Sequence, residues 1–342
     1  MKLFRALLLT LIGVTNTHAQ TLTAATGEVN LYTTREPKLI KPLLEAFTLQ
    51  TGIAVKTSFI KDGLIEKIKA EKNLSPVDVI MTADIGNLVD LEQSEAFQPI
   101  HSPLLLEVIP ANLRSTEGTW YALSLRDRVL YADPSLALTE FKYEDLADSK
   151  WAGKVCIRSG QHPYNIGLIS AMLLHNGEQQ TEQWLKQVKA NLARRATGGD
   201  RDVARDILGG ICEIGIANAY YAAQMKTSKT GSEQRKWGDA INVIRPTFKA
   251  TNTTFVNISG AGVARYAPNR SNAIKLMEFL ASENGQKMYA SADFEYPVRK
   301  NIPPDPMVAS FGPLTIDSLS LKDIAARRKQ ASELVEKVKF DQ

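Results

Sequence analysis

The chain has 342 residues, 44% of them hydrophobic, enough to bury an ample core and long enough to form two lobes. Its 41 Lys and Arg against 37 Asp and Glu give a formal net charge of +4, a near balance that excludes the basic surface expected of a nucleic-acid or membrane-surface partner. Beyond the N-terminal segment, no run is apolar enough to insert in a bilayer, which takes roughly 20 such residues.

The chain opens with MKLFRALLLTLIGVTNTHAQ, where Lys2 and Arg5 precede an uncharged run from Ala6 to Val14 and a small, polar exit ending at Ala19. That order is the pattern of a secretory signal peptide over residues 1–19. No cysteine follows the expected cleavage point to accept a lipid, so the mature product is expected free in a Gram-negative periplasm. Losing Lys2 and Arg5 leaves 39 basic against 37 acidic side chains, a net charge of +2.

The pattern then alternates. Val29 to Thr33 reads as a strand, and Pro37 to Leu49 as a helix that starts on proline and stops at Gly52. Ile53 to Ile60 is a second strand, Leu64 to Ala70 a helix, and Val77 to Met81 a buried strand. WYALSLRDRVLY, residues 120–131, is extended. A second alternating run begins near Lys154, with strand Val155 to Arg158, helices over Ile166 to His175 and Glu182 to Leu192, a short helix over Val203 to Leu208, and strands Glu213 to Ala217 and Ile241 to Arg245. TFVNISGAGVAR, residues 254–265, is extended again, followed by helices over Asn272 to Ala290 and one amphipathic helix over Leu319 to Val338. Strand and helix in alternation predict an α/β fold with a mostly parallel sheet. If the two extended segments carry the chain across and back, residues 20–124 and 254–315 form a discontinuous first lobe, 125–253 a second, and 316–342 a C-terminal helical segment. The lobes would then close on a ligand about a pair of strands; a single domain without a hinge fits the periodicity as well.

Cys156 and Cys212 are the two cysteines. An oxidising compartment favours one disulfide between them, worth about 4 kcal/mol in the chain-entropy description; two buried thiols are the alternative.

In an open α/β sheet, ligands bind beyond the carboxyl ends of the strands. Strand 155–158 exits into SGQHPYN, which carries Tyr164, and strand 213–217 exits into NAYY, which carries Tyr220 and Tyr221. The first strand exits into Thr34-Arg35-Glu36-Pro37, and the crossing segment carries Arg126 and Arg128. Phenolate oxygen is a hard anionic donor, and a trivalent cation offsets the cost of ionising a group whose free pKa is about 10. Three phenolates from Tyr164, Tyr220 and Tyr221 would neutralise Fe(III) and leave an octahedral ion half open. Carbonate or bicarbonate could fill the rest, with Arg35 and Arg126 as its planar, bidentate partners. Taken singly, a tyrosine at a strand end reads far more readily as packing with its hydroxyl in water, and the adjacent Tyr220-Tyr221 pair is the stronger signal.

The runs LYTTREP, SPVDVIMTADIGNL, LADSKWAGKVCIRSG, GGDRD, IANAYY, NISGAGV and FEYPV resemble those of the periplasmic ferric-ion-binding proteins, the bacterial transferrins that feed ATP-driven iron importers. The likeness runs in order along almost the whole mature chain. It implies the two-lobed periplasmic-binding-protein (type II) fold, a monomer serving an inner-membrane ABC permease with its ATPase, and iron on Tyr164, Tyr220 and Tyr221. One branch of that family places His-Tyr after the arginine of its first motif as further iron ligands. This chain has Glu36-Pro37 there and resembles instead the branch that uses three tyrosines with a carbonate-like anion. Glu36 fits neither pattern, and helix-end chemistry or anion contact is expected of it ahead of ligation. Tyr32 reads as packing or cleft wall. His101, His162 and His175 have no paired metal spacing, and Gly198-Gly199-Asp200 fits a helix cap as well as an anion-binding turn.

Two rivals stand beside this reading. A protein of the same fold could hold an organic anion, thiamine or a polyamine between its tyrosines. A serine acyltransferase is suggested by Ser58-Phe-Ile-Lys61 and Lys229-Thr-Gly231, but the middle motif is missing and Ser58 falls on a strand, where the nucleophile should open a helix.

Overall fold

In the computed structural model, which describes residues 27–342, the alternation begins where the sequence places it. The expected signal peptide lies outside the described residues. Strand β1 (Gly27–Thr33) leads into α1 (Pro37–Thr51), which buries Ile40, Leu43, Leu44 and Phe47 and ends on Gly52 at φ 69°, a left-handed cap that glycine adopts without a Cβ clash. Next come β2 (Ile53–Phe59), α2 (Leu64–Glu71) and β3 (Val79–Thr82). Two helices the periodicity does not reveal follow, α3 (Ile85–Gln93) and α4 (Pro103–Val108). The Asp84 carboxylate caps α3 by accepting from the Gly86 N–H at 2.8 Å.

The second run comprises β4 (Tyr121–Ala132), β5 (Val155–Cys156), α5 (Pro163–Ala190), α6 (Asp200–Leu208), β6 (Ile214–Asn218), α7 (Ala219–Thr227), α8 (Glu233–Asp239) and β7 (Asn242–Ile244). The chain continues through β8 (Val256–Val263), α9 (Arg270–Ala281), α10 (Glu283–Asp293), β9 (Tyr296–Pro297), α11 (Pro306–Ala309), α12 (Leu321–Ala326) and α13 (Arg328–Lys337).

The strands lie in the order β2-β1-β3-β8-β4-β6-β5, with β7 and β9 also on β4. Tyr121 to Asp127 of β4 pairs with β8, and Arg128 to Ala132 pairs with β6. One strand thus serves two sheets, and with β8 it joins two lobes of an α/β fold. β3, β4, β6 and β8 are buried along their whole length, as strands covered on both faces must be.

Cys156 and Cys212 form a disulfide with Cα atoms 5.8 Å apart, inside an apolar cluster with Val129, Tyr131, Val203 and Ile207. It ties β5 to the segment entering β6, its parallel neighbour. The C-terminal segment belongs to neither lobe alone, since α12 packs against both α3 and α5 while α13 packs on α5.

Candidate functional site

The three tyrosines stand in the first turns of two helices. β6 leaves its sheet at Asn218, so Tyr220 and Tyr221 open α7. Pro163 opens α5, where its missing N–H costs no helical bond, and Tyr164 follows it. His162 is the N-cap, its Nδ1 accepting from the Tyr164 N–H at 3.2 Å. That ring is capping chemistry. Burial, then the charge of Arg158, lowers its pKa to about 3, so it is neutral at ordinary pH.

The rings of Tyr220 and Tyr221 lie 4.1 Å apart between centroids. Arg126 Nη1 donates to the Tyr164 hydroxyl at 3.3 Å. Burial holds the Tyr220 phenol well above its usual range, and Tyr164 and Tyr221 push it the same way against Arg126. Burial, then Tyr164 and Asp200, pushes Tyr221 up to about 12. Tyr164 acts on both, so the three phenols are electrostatic neighbours. Among the described residues no group of three or more His, Cys, Asp or Glu side chains gathers to hold a metal.

What aligns the two tyrosine turns is Asp200. It is the first residue of α6 and fully buried; its carboxylate accepts from Arg128 at 2.9 Å, Arg158 at 3.1 Å and the Asn218 N–H at 2.8 Å. Arg128 also donates to the side-chain oxygens of Asn165 and Asn218, at 2.5 and 3.0 Å. Asn165 adjoins Tyr164, and Asn218 precedes the tyrosine pair. One ionic knot therefore fixes the starts of α5, α6 and α7, whose positive ends favour anionic oxygen nearby. Residue pattern alone marks Asp200 only as a cap. The cap bond comes from Asp202, which accepts from the Gly199 N–H at 2.7 Å, leaving Asp200 for the knot.

Arg126 and Arg128 lie two apart on β4 and share one face, with Asp127 on the other, where it pairs with Arg245 at 2.8 Å. Arg126 is 3% exposed. It donates to the Ala83 and Ile258 carbonyls; among the described residues it pairs with no carboxylate, and its Nε has no partner. Arg35 differs from the free anion binder expected of it. Its fork donates to Asp293 at 2.6 Å and to Ser259 at 2.9 Å, with Glu295 at 3.0 Å. Neither acid stands out in the sequence, although Glu295 lies within the FEYPV run. Glu36 is exposed; it occupies the N-cap position of α1 without a side-chain cap bond and pairs with Lys38 at 3.0 Å. Tyr32 is packed away, donating to Glu71 at 3.2 Å.

His175 pairs with Asp317 at 2.8 Å, and His101 is exposed. Ser58 is exposed on β2, and Lys229, Thr230 and Gly231 follow α7, outside any helix. No helix among the described residues is long and apolar enough to cross a membrane.

Two lobes joined through crossing strands, with tyrosines gathered at the starts of two helices, have the architecture of a solute-binding protein. Residues 75–310 match the family of bacterial extracellular solute-binding proteins, and the chain belongs to it; these are binding proteins, not enzymes. The chain is 35% identical to iron uptake protein A1 of Synechocystis over 90% of its own length and 86% of that protein's. The structure of a Bordetella ferric binding protein superposes with a TM-score of 0.86 at 62% identity, covering 92% of this chain and all of that one. A Trichodesmium protein solved with iron and citrate ligands superposes with a TM-score of 0.85 at 36% identity, over 92% and 100% of the two chains. The fold is thus the two-lobed periplasmic-binding-protein architecture.

Proposed function

We propose that this chain captures ferric ion in its interlobe cleft and delivers it to an inner-membrane ABC permease with its ATPase. Tyr164, Tyr220 and Tyr221 are the ligands, and a carbonate or bicarbonate anion completes the shell. The observation that supports this most is the gathering of three phenols beside Arg126, a buried guanidinium paired with no carboxylate among the described residues. Three phenolates balance the charge of Fe(III), and Arg126 offers the positive charge an added anion needs. Arg35 is already shared by two carboxylates, so its contribution is to the field of the cleft more than to direct contact. Glu36 takes no part. The relatives named for iron support the same cargo.

The protein works as a monomer in the periplasm, reached through a cleaved, unlipidated signal peptide over residues 1–19. Residues 20–124 with 254–315 and residues 125–253 close as two lobes about β4 and β8. Titration with ferric salt tests the reading: visible tyrosinate colour should saturate at one ion per chain and vanish in the Tyr220→Phe, Tyr221→Phe double variant. Full binding in that variant would contradict the site, and an organic ligand between the rings would give no colour at all.

A further inference from the structure

The loop that presents Tyr164 is held from outside the cleft by the C-terminal segment. Asp341 Oδ1 accepts from the Gly160 N–H at 2.7 Å, and Oδ2 from the Ser159 hydroxyl at 2.5 Å and the Gln161 N–H at 3.4 Å. Those three donors lie on consecutive residues, a concavity suited to one carboxylate. The fit is steric as well as polar, because a Cβ on Gly160 would stand 2.9 Å from Phe340 and Val335. Ser332 on α13 clasps the same loop: its hydroxyl donates to the Gln161 side-chain oxygen at 2.8 Å, and its carbonyl accepts from the Gln161 amide at 3.1 Å. On the inner side, the Asn165 amide donates to the Arg158 and Ser159 carbonyls at 3.0 Å each. The loop is thereby gripped on both faces, and it runs directly into the His162 cap of α5.

We propose that Asp341 is a positioning residue for the metal site, acting through the 159–161 loop to set where the Tyr164 hydroxyl stands. This rests on Tyr164 being an iron ligand. The carboxylate touches neither the phenol nor the ion; it fixes the start of the helix on which the phenol is mounted. Its grip also extends across the molecule. The helix leading to Asp341 starts at Arg328, whose Nη2 donates to Asp90 of α3 at 2.5 Å, and α3 begins two residues after Ala83, whose carbonyl holds Arg126. One segment therefore runs from the mount of Tyr164 to the helix beside Ala83, whose carbonyl accepts from Arg126.

The test uses the full chain loaded with ferric ion, comparing Asp341→Asn, Asp341→Glu and Ser159→Ala with Lys337→Ala. The last loosens the same helix by removing its surface pair with Glu182 and leaves the loop alone. Asp341→Asn is expected to shift the visible charge-transfer band and to speed iron loss to a competing chelator by about tenfold, the scale of a lost charged hydrogen bond. Asp341→Glu restores part of both, Ser159→Ala gives a smaller change in the same direction, and Lys337→Ala alters neither. A band and release rate unchanged in Asp341→Asn overturn the proposal even if the melting temperature falls. If that variant does not fold, unchanged values in Ser159→Ala do the same. Tyr164→Phe is measured alongside: colour and affinity intact there would mean that the tyrosine assignment, not the positioning role, is at fault.

Discussion

Replacing Asp200 with asparagine should unsettle both stability and binding, because one carboxylate there answers two guanidinium groups. The amide would keep an acceptor oxygen but remove the negative charge facing Arg128, which is 1% exposed. Removing one member of a buried pair costs about 3–5 kcal/mol, since the other keeps its charge without a counter-ion. Over a chain of this size that corresponds to a melting temperature lower by about 4–7 °C. The pH dependence carries a second signature. Burial would raise the Asp200 carboxyl, but Arg128 and then Arg158 overcome that and hold it below the usual carboxylate value. Its stabilisation is therefore complete above about pH 4 and is lost as pH falls through the folded value. Thermal melts at pH 7 and near pH 3 should show the variant's deficit shrinking on acidification, and ferric titration should show weakened binding as the two tyrosine turns lose their common anchor. A melting point within about 1 °C of the parent at pH 7, with unchanged iron binding, would refute the role assigned to the knot.

Arg126→Ala should weaken iron binding most when bicarbonate is scarce, read from affinities at several bicarbonate concentrations; an unaltered dependence would remove the anion from the account. Replacing Cys156 and Cys212 together with serine should lower stability by up to about 4 kcal/mol in denaturant melts while leaving the iron colour in place, because the apolar cluster around the bond includes none of Tyr164, Tyr220 and Tyr221. Burial raises the Asp293 carboxyl to about 7, against the opposing pull of Arg35. An acid raised on folding binds more protons in the folded state, so stability falls as pH rises from about 4 to 7. Asp293→Asn should flatten that slope in melts across the interval.

The strand exits carry the part of the site that the sequence makes legible. A β-rich run ending in Asn218-Ala-Tyr-Tyr places the tandem pair at a helix start from residue pattern alone, and Tyr164 follows by the same logic. Element boundaries are less legible where one residue decides them. The helices expected over 272–290 part where Ser282 caps α10 by accepting from the Gly285 N–H at 3.2 Å, and the pair expected over 166–192 parts at Gly177, φ 77°, two breaks whose exact residue the periodicity does not give. The 319–338 helix likewise divides at Arg327. Ionic partnership is not legible at all. Asp200 and Arg128 are 72 residues apart, and nothing local separates a buried acid from a capping one. For the same reason Arg35 reads as free in the sequence, since Asp293 and Glu295 reach it across 258 and 260 residues of chain.

A crystal structure of the ferric complex probes the central claim most directly. It should show one iron bonded by the hydroxyl oxygens of Tyr164, Tyr220 and Tyr221, with an anion between the metal and Arg126. Rings turned away from a common centre, or an organic molecule lodged among them with no metal, would contradict it.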